Sequence, residues 1–282
     1  MLDNEGRFAW YELLTTDSAA ARTFYAEVVG WGAQDVSTPD LAYTLFTAGK
    51  VPVCGLIDLP ADARKQGATP RWMGYVEVGD ADAVARRIKR LGGAVYVPPT
   101  DTNIGRISVV ADPQAAVLAL ATGLKSGRQQ AAGLDVSGHV GWHELLADDW
   151  KKAFAYYGEL FGWQKADAGP AENYQLFAAG GQTIGGMFTR PAAARVPFWL
   201  YYFNVGDIDA AAERVKAGGG RIFVGPAQLP DGSWIARCAD PQGAMFALQG
   251  KRNGPASGSD AAWSSEWGGF SSRGRLVAKP RS

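Results

Sequence analysis

Apolar and polar positions alternate over residues 7–14, then change to helical spacing through Ala21, Phe24, Tyr25 and Val28, and stop at Gly30. The first pattern predicts a strand with one buried face, and the second an amphipathic helix opened by Asp17. Short apolar runs of strand length follow around Trp31, at residues 43–47 and at residues 53–59. The pattern then restarts with a strand over residues 72–78 and a helix over residues 80–91 closed by Gly92-Gly93. Strands near residues 94–97, 106–111 and 117–121 complete it. Each half of this stretch is a βαβββ unit.

The pair of units is itself repeated. Trp10-Tyr11-Glu12-Leu13-Leu14 returns as Trp142-His143-Glu144-Leu145-Leu146, and the offset of 132 residues holds through Asp17/Asp149, Tyr25/Tyr157 and Gly30-Trp31/Gly162-Trp163. With small loop changes it continues at Tyr43/Tyr174, Val78-Gly79-Asp80/Val205-Gly206-Asp207 and Asp112-Pro113-Gln114/Asp240-Pro241-Gln242. A period this long means homologous domains, not a solenoid. The expected organisation is a domain over residues 7–123, a polar linker over 124–138, a second domain over 139–250 and a loosely docked tail over 251–282. The expected fold class is α+β, with four βαβββ units paired into two domains whose antiparallel, cup-shaped sheets carry helices on one face.

Composition narrows the function classes. The 28 basic and 28 acidic side chains leave no net field to draw the chain onto nucleic acid or an anionic membrane, so neither is an expected partner. The N-terminus lacks the basic and apolar regions of a signal peptide, and no run of 18 apolar residues occurs, which makes the cytoplasm the expected location. Cys54 and Cys238 lie on apolar runs without a CxxC spacing and read as buried thiols. No phosphate-cradling glycine motif or nucleophile motif is readable, and no cofactor is expected. In the tail, Trp263, Trp267 and Phe270 are spaced like one face of a short helix, against which Gly268-Gly269 argues.

The Phe24-Tyr25 and Tyr156-Tyr157 pairs, the Gly-Trp steps at 30–31 and 162–163 and the Asp240-Pro241-Gln242-Gly243 turn resemble the vicinal oxygen chelate superfamily. That superfamily includes glyoxalases, bleomycin and fosfomycin resistance proteins and extradiol dioxygenases. The two-domain layout with paired Trp-x-Glu-Leu strands is similar to a fused glyoxalase-like family that includes mycobacterial culture-filtrate antigens. In metal-dependent members of the superfamily, ligands stand on the first, fifth and eighth strands of a domain. The resemblance places those registers at Trp10, Met73 and Ala119 in the first domain and at Trp142, Leu200 and Ala247 in the second. A hard or borderline divalent ion needs three or more N or O ligands, which these side chains do not supply, so no metal is expected.

Strand alternation sorts the neighbours of these positions. Trp10, Glu12, Met73, Tyr75, Glu77 and Ala119 are expected to share one cup. Trp142, Glu144, Leu200, Tyr202, Asn204 and Ala247 are expected to share the other, with Tyr11 and His143 turned to the opposite face. Trp31, Trp72, Trp163 and Trp199 read as core. Glu12, Glu77 and Glu144 are candidate acid–base or anchoring groups. The bland alternative is that Glu12 and Glu144 are solvated or paired with an arginine. The leading reading is a metal-free protein binding small, flat, apolar or aromatic molecules. Its rivals are a lyase or isomerase using Glu12 or Glu77 as base, a metal-dependent dioxygenase with differently placed ligands, and a protein-interaction module. Four fused units make a monomer sufficient, with a homodimer as the alternative.

Overall fold

A computed structural model describes residues 5–124, 135–167, 173–229 and 231–253. The tail segment around Trp263, with its helix-like spacing, and most of the linker lie outside the described residues. The first unit comprises β1 (Phe8–Thr15), α1 (Ser18–Val29), β2 (Gly32–Asp35), β3 (Thr44–Ala48) and β4 (Val51–Asp58). After the short α2 (Ala61–Lys65), the second comprises β5 (Arg71–Glu77), α3 (Ala81–Arg90), β6 (Ala94–Thr102), β7 (Gly105–Ala111) and β8 (Val117–Thr122). The second half repeats this, without a counterpart of α2 among the described residues. Its elements are β9 (Val140–Ala147), α4 (Trp150–Phe161), β10 (Gln164–Ala166), β11 (Tyr174–Ala179), β12 (Gln182–Thr189), β13 (Phe198–Asp207), α5 (Ile208–Ala217), β14 (Arg221–Gln228), β15 (Trp234–Ala239) and β16 (Met245–Lys251).

The recurrent Asp and Gly have local jobs. Asp17 and Asp149 accept backbone N–H bonds in the first turns of α1 and α4, and Gly30 and Gly162 end those helices at φ 84° and 72°. A residue with a Cβ is strained there.

Each half forms one eight-stranded sheet, ordered β2-β3-β4-β1-β5-β8-β7-β6 and β10-β11-β12-β9-β13-β16-β15-β14. The sheets are mixed, which corrects the expectation of antiparallel ones. Within a unit the helix reverses the chain and three meandering strands follow, so the last strand runs parallel to the first, as in β1·β4, β5·β8, β12·β9 and β13·β16. The two units of a sheet meet at an antiparallel joint, with Trp10 opposite Tyr75 and Glu12 opposite Met73 on β1·β5. The equivalent joint sets Trp142 opposite Tyr202 and Glu144 opposite Leu200.

The helix-bearing faces of the two sheets meet in one apolar core that holds Tyr11, Phe24, Trp31 and Trp72 with Trp163, Trp199, Tyr201 and Phe203. The repeated motifs meet there across the two halves. Trp31 Nε1 donates to Gly138 O at 2.7 Å, and Trp163 Nε1 donates to Gly6 O at 2.5 Å. Tyr25 OH donates to Asp240 and Tyr157 OH to Asp112, each at 3.1 Å. Each half therefore satisfies polar groups of the other about a local two-fold axis, in the manner of an isologous dimer. On this axis Tyr11 OH and His143 Nε2 lie 2.6 Å apart, while His143 Nδ1 lies 2.7 Å from Ile184 O. A carbonyl only accepts, so Nδ1 carries the proton and Nε2 accepts from Tyr11.

Candidate functional site

The opposite faces of the sheets carry two smaller apolar clusters. Trp10, Met73, Tyr75, Ala119 and Ala121 form the first, rimmed by half-buried Leu14, Leu45, Ile107, Val109 and Val117. Leu146, Tyr174, Phe188, Leu200, Tyr202 and Ala247 form the second, with Trp142 packed against it. A buried carboxylate sits in each.

In the first cup Trp10 Nε1 donates to Tyr43 OH at 3.2 Å, and Tyr43 OH donates to Glu12 Oε1 at 2.6 Å. Tyr75 OH donates to Glu12 Oε2 at 2.5 Å. The second cup repeats the arrangement. Trp142 Nε1 donates to Tyr174 OH at 3.1 Å, Tyr174 OH to Glu144 Oε1 at 2.9 Å, and Tyr202 OH to Glu144 Oε2 at 2.5 Å. Tyr43 and Tyr174 fit because the strand beside each glutamate carries glycine at the level of the carboxylate. Gly55 pairs with Glu12 and Gly186 with Glu144. A Cβ on Gly55 would lie 2.1 Å from Tyr43 Oη, and one on Gly186 would lie 2.3 Å from Tyr174 Oη. Gly55→Ala should thus displace Tyr43 from Glu12 and destabilise the protein by about 1–3 kcal/mol. Urea unfolding checks this, and an effect below about 0.5 kcal/mol would mean the phenol is not held in this position.

The cups differ in the residue that faces the carboxylate from the neighbouring unit's third strand. Arg237 on β15 stands opposite Ala247, and the equivalent residue opposite Ala119 on β7 is Val109. Arg237 Nη2 lies 2.8 Å from Glu144 Oε2, with both side chains almost wholly buried, and Arg237 Nε donates to Tyr202 OH at 3.0 Å. Its guanidinium also lies over the Phe188 ring. Burial acts to discharge Arg237, but Glu144 and Tyr202 outweigh it and hold the group charged. Glu12 has two phenols and, among the described residues, no cation. Burial raises its pKa, and the hydrogen bonds from Tyr43 and Tyr75 only partly oppose the rise.

The other expected residues divide. Glu77 lies further along β5, opposite Ala121, and its Oε2 is buried without a hydrogen-bond partner. Asn204 is buried, its amide donating to Val136 O at 3.0 Å where the linker returns. Trp10 is only 3% exposed, whereas Trp142 is half-buried. Tyr43, Tyr174 and Arg237 belong to the site and were absent from the sequence-based set. Tyr43 and Tyr174 carried a signal, since they recur at equivalent places in the repeat. Arg237 carried none.

Trp10, Met73 and Ala119 come together on the floor of the first cup, and Trp142, Leu200 and Ala247 in the second. Neither set offers the donors that a divalent ion requires, so a resident metal does not fit these positions. Among the described residues, no three His, Cys, Asp or Glu side chains gather in a way that would hold one. Also among the described residues, no helix is long and apolar enough to cross a membrane.

The paired cups and doubled topology agree with comparisons to known proteins. A model of the glyoxalase/bleomycin resistance protein/dioxygenase superfamily matches residues 7–119 and 137–248. The chain belongs to this superfamily. Among its relatives is "Putative glyoxylase CFP32" of Mycobacterium tuberculosis, 33% identical over 86% of this chain and 94% of that protein. The anthracycline biosynthesis protein DnrV of Streptomyces peucetius is also 33% identical, over 88% of this chain and 94% of the relative. Among solved structures, the Mn(II)-bound glyoxalase of Novosphingobium aromaticivorans aligns with a TM-score of 0.60 at 15% identity, covering 88% of this chain and 83% of that one. That likeness extends the superfamily's fold to this chain and nothing finer.

Proposed function

We propose that the protein is a small-molecule-binding member of the superfamily whose two cups take flat, largely apolar compounds without the superfamily's usual metal set. The observation that carries this is the Trp–Tyr–Glu–Tyr constellation, present in both cups beside the positions where metal ligands would stand. Aromatic and aliphatic walls around a few fixed polar groups suit an apolar ligand that is oriented by one or two hydrogen bonds. The relatives named for anthracycline biosynthesis point the same way, because an anthracycline is built on a flat fused-ring body.

A fluorescence titration with aromatic quinones and polycyclic compounds tests the reading, with indole quenching as the signal. Trp142→Ala should weaken binding in the second cup by about 1–3 kcal/mol, roughly 5- to 150-fold, and Trp10→Ala should do the same in the first. The half-buried Trp142 should give the larger quench. Unchanged affinity in the double variant would make the indoles packing plugs and favour an interaction module.

A second reading rests on Glu12 alone. A buried carboxyl with a raised pKa and no cation has the character of a general acid or base, so a lyase or isomerase reaction would run in the first cup. Arg237 makes the second cup unsuited to that work by holding Glu144 in an ion pair.

A further inference from the structure

The two cups share their tryptophan, both phenols, the carboxylate and the glycine beside it, and differ in the residue that faces the carboxylate from the third strand of the unit. In the second cup that residue supplies a guanidinium, so Glu144 is neutralised from within the chain at 2.8 Å. In the first cup the equivalent residue is the uncharged Val109, and Glu12, 6% exposed, is met by two phenols and, among the described residues, by no positive charge. A buried carboxylate without a cation is unfavourable when ionised, and the gain from supplying one is correspondingly large. The apolar cluster that includes Tyr75 is rimmed by the half-buried Val109, Leu14, Leu45, Ile107 and Val117, which suit an apolar body attached to a charged head. A second buried carboxylate, Glu77, lies on the same face of β5, and its Oε2 has no hydrogen-bond partner. Its counterpart in the second half is the uncharged and hydrogen-bonded Asn204. The first cup is thus the acidic one, and the second carries its own counter-charge.

We infer that the first cup is a site for an organic cation, an amine, amidine or guanidine on an apolar body, whose charged head takes against Glu12 the place that the Arg237 guanidinium takes against Glu144. The inference rests on the proposal that the cups bind small molecules, and adds the charge class of the ligand and the cup that takes it. The second cup takes neutral ligands or none, since its carboxylate is already paired.

The test is calorimetric titration of the full chain with 2-naphthamidine, a flat cation, and 2-naphthamide, its neutral isostere, beside a panel of neutral polycyclic compounds. The amidine should bind one site per chain at least about 30-fold more tightly than the amide, as expected for a charge-assisted hydrogen bond in a buried site. Glu12→Gln removes the anion and Val109→Arg supplies the missing guanidinium from within. Each should abolish the preference, and circular dichroism verifies that each is folded. Val109 is half-buried, so an arginine there can reach solvent if it is not drawn to Glu12. Equal binding of amide and amidine, or a preference that survives Val109→Arg, would overturn the inference. Binding of the neutral panel without the amidine would overturn it while leaving the cups as binding sites. Failure of every probe would overturn both.

Discussion

Replacing Arg237 with methionine should destabilise the protein by about 3–5 kcal/mol, because the buried Glu144 would lose its cationic partner. The comparison that isolates the charge is the double variant Arg237→Met/Glu144→Gln. It leaves no buried charge at this point and keeps an amide to accept from Tyr174 and Tyr202, so most of the loss should be restored. Urea unfolding of the four proteins in this cycle measures the coupling. If the double variant is as unstable as the sum of the single ones, Arg237 contributes by packing on Phe188, not by charge. Within the first cup no such cycle exists, since Val109 carries no charge to remove.

Acidification should act through His143. Burial lowers its pKa from 6.5 to about 4, so the unfolded chain takes up a proton at a pH where the folded one does not. Stability from this residue is fully present above pH 6.5 and is lost as pH falls through 4, by about 3 kcal/mol in all. Glu12, Asp112 and Asp240 oppose the trend. Burial raises their pKa values, so they bind protons more readily when folded and gain stability as pH falls. The histidine is therefore separated by comparison with His143→Gln, which retains a donor and an acceptor for Ile184 and Tyr11 but does not titrate. The variant should start less stable at neutral pH and lose less on acidification, so the two curves of unfolding free energy converge toward pH 4. Parallel curves would mean that His143 does not govern the acid response.

The fold and the concave residues were legible because both rest on period. Alternation put Trp10 and Glu12 on one face of β1 and Tyr11 on the other, and the 132-residue offset carried the same assignment to Trp142, Glu144 and His143. Tyr43 and Tyr174 were harder to assign. Tyr43 immediately precedes β3 and Tyr174 opens β11, and their distance from Glu12 and Glu144 depends on glycines in a third strand. Reading by repeat finds what recurs, so Arg237, present in one half alone, was invisible to it. The strand directions were lost for another reason, since parallel and antiparallel neighbours share the same alternation. The Phe-Tyr and Asp-Pro-Gln motifs were plain as signatures. Their pairing across the two halves, as in Tyr25 with Asp240, spans 215 positions of chain and has no local trace.

The local two-fold axis has a further consequence for how such a molecule can diversify. Two identical chains associating through these faces would have to carry every substitution in both cups, so an arginine that suited one would be imposed on the other. Joined in one polypeptide, the halves keep the reciprocal clamps of Trp31 on Gly138 and Trp163 on Gly6 while their concave faces drift independently. A shared back and two separately mutable fronts allow one cup to hold a charge that the other leaves to its visitor.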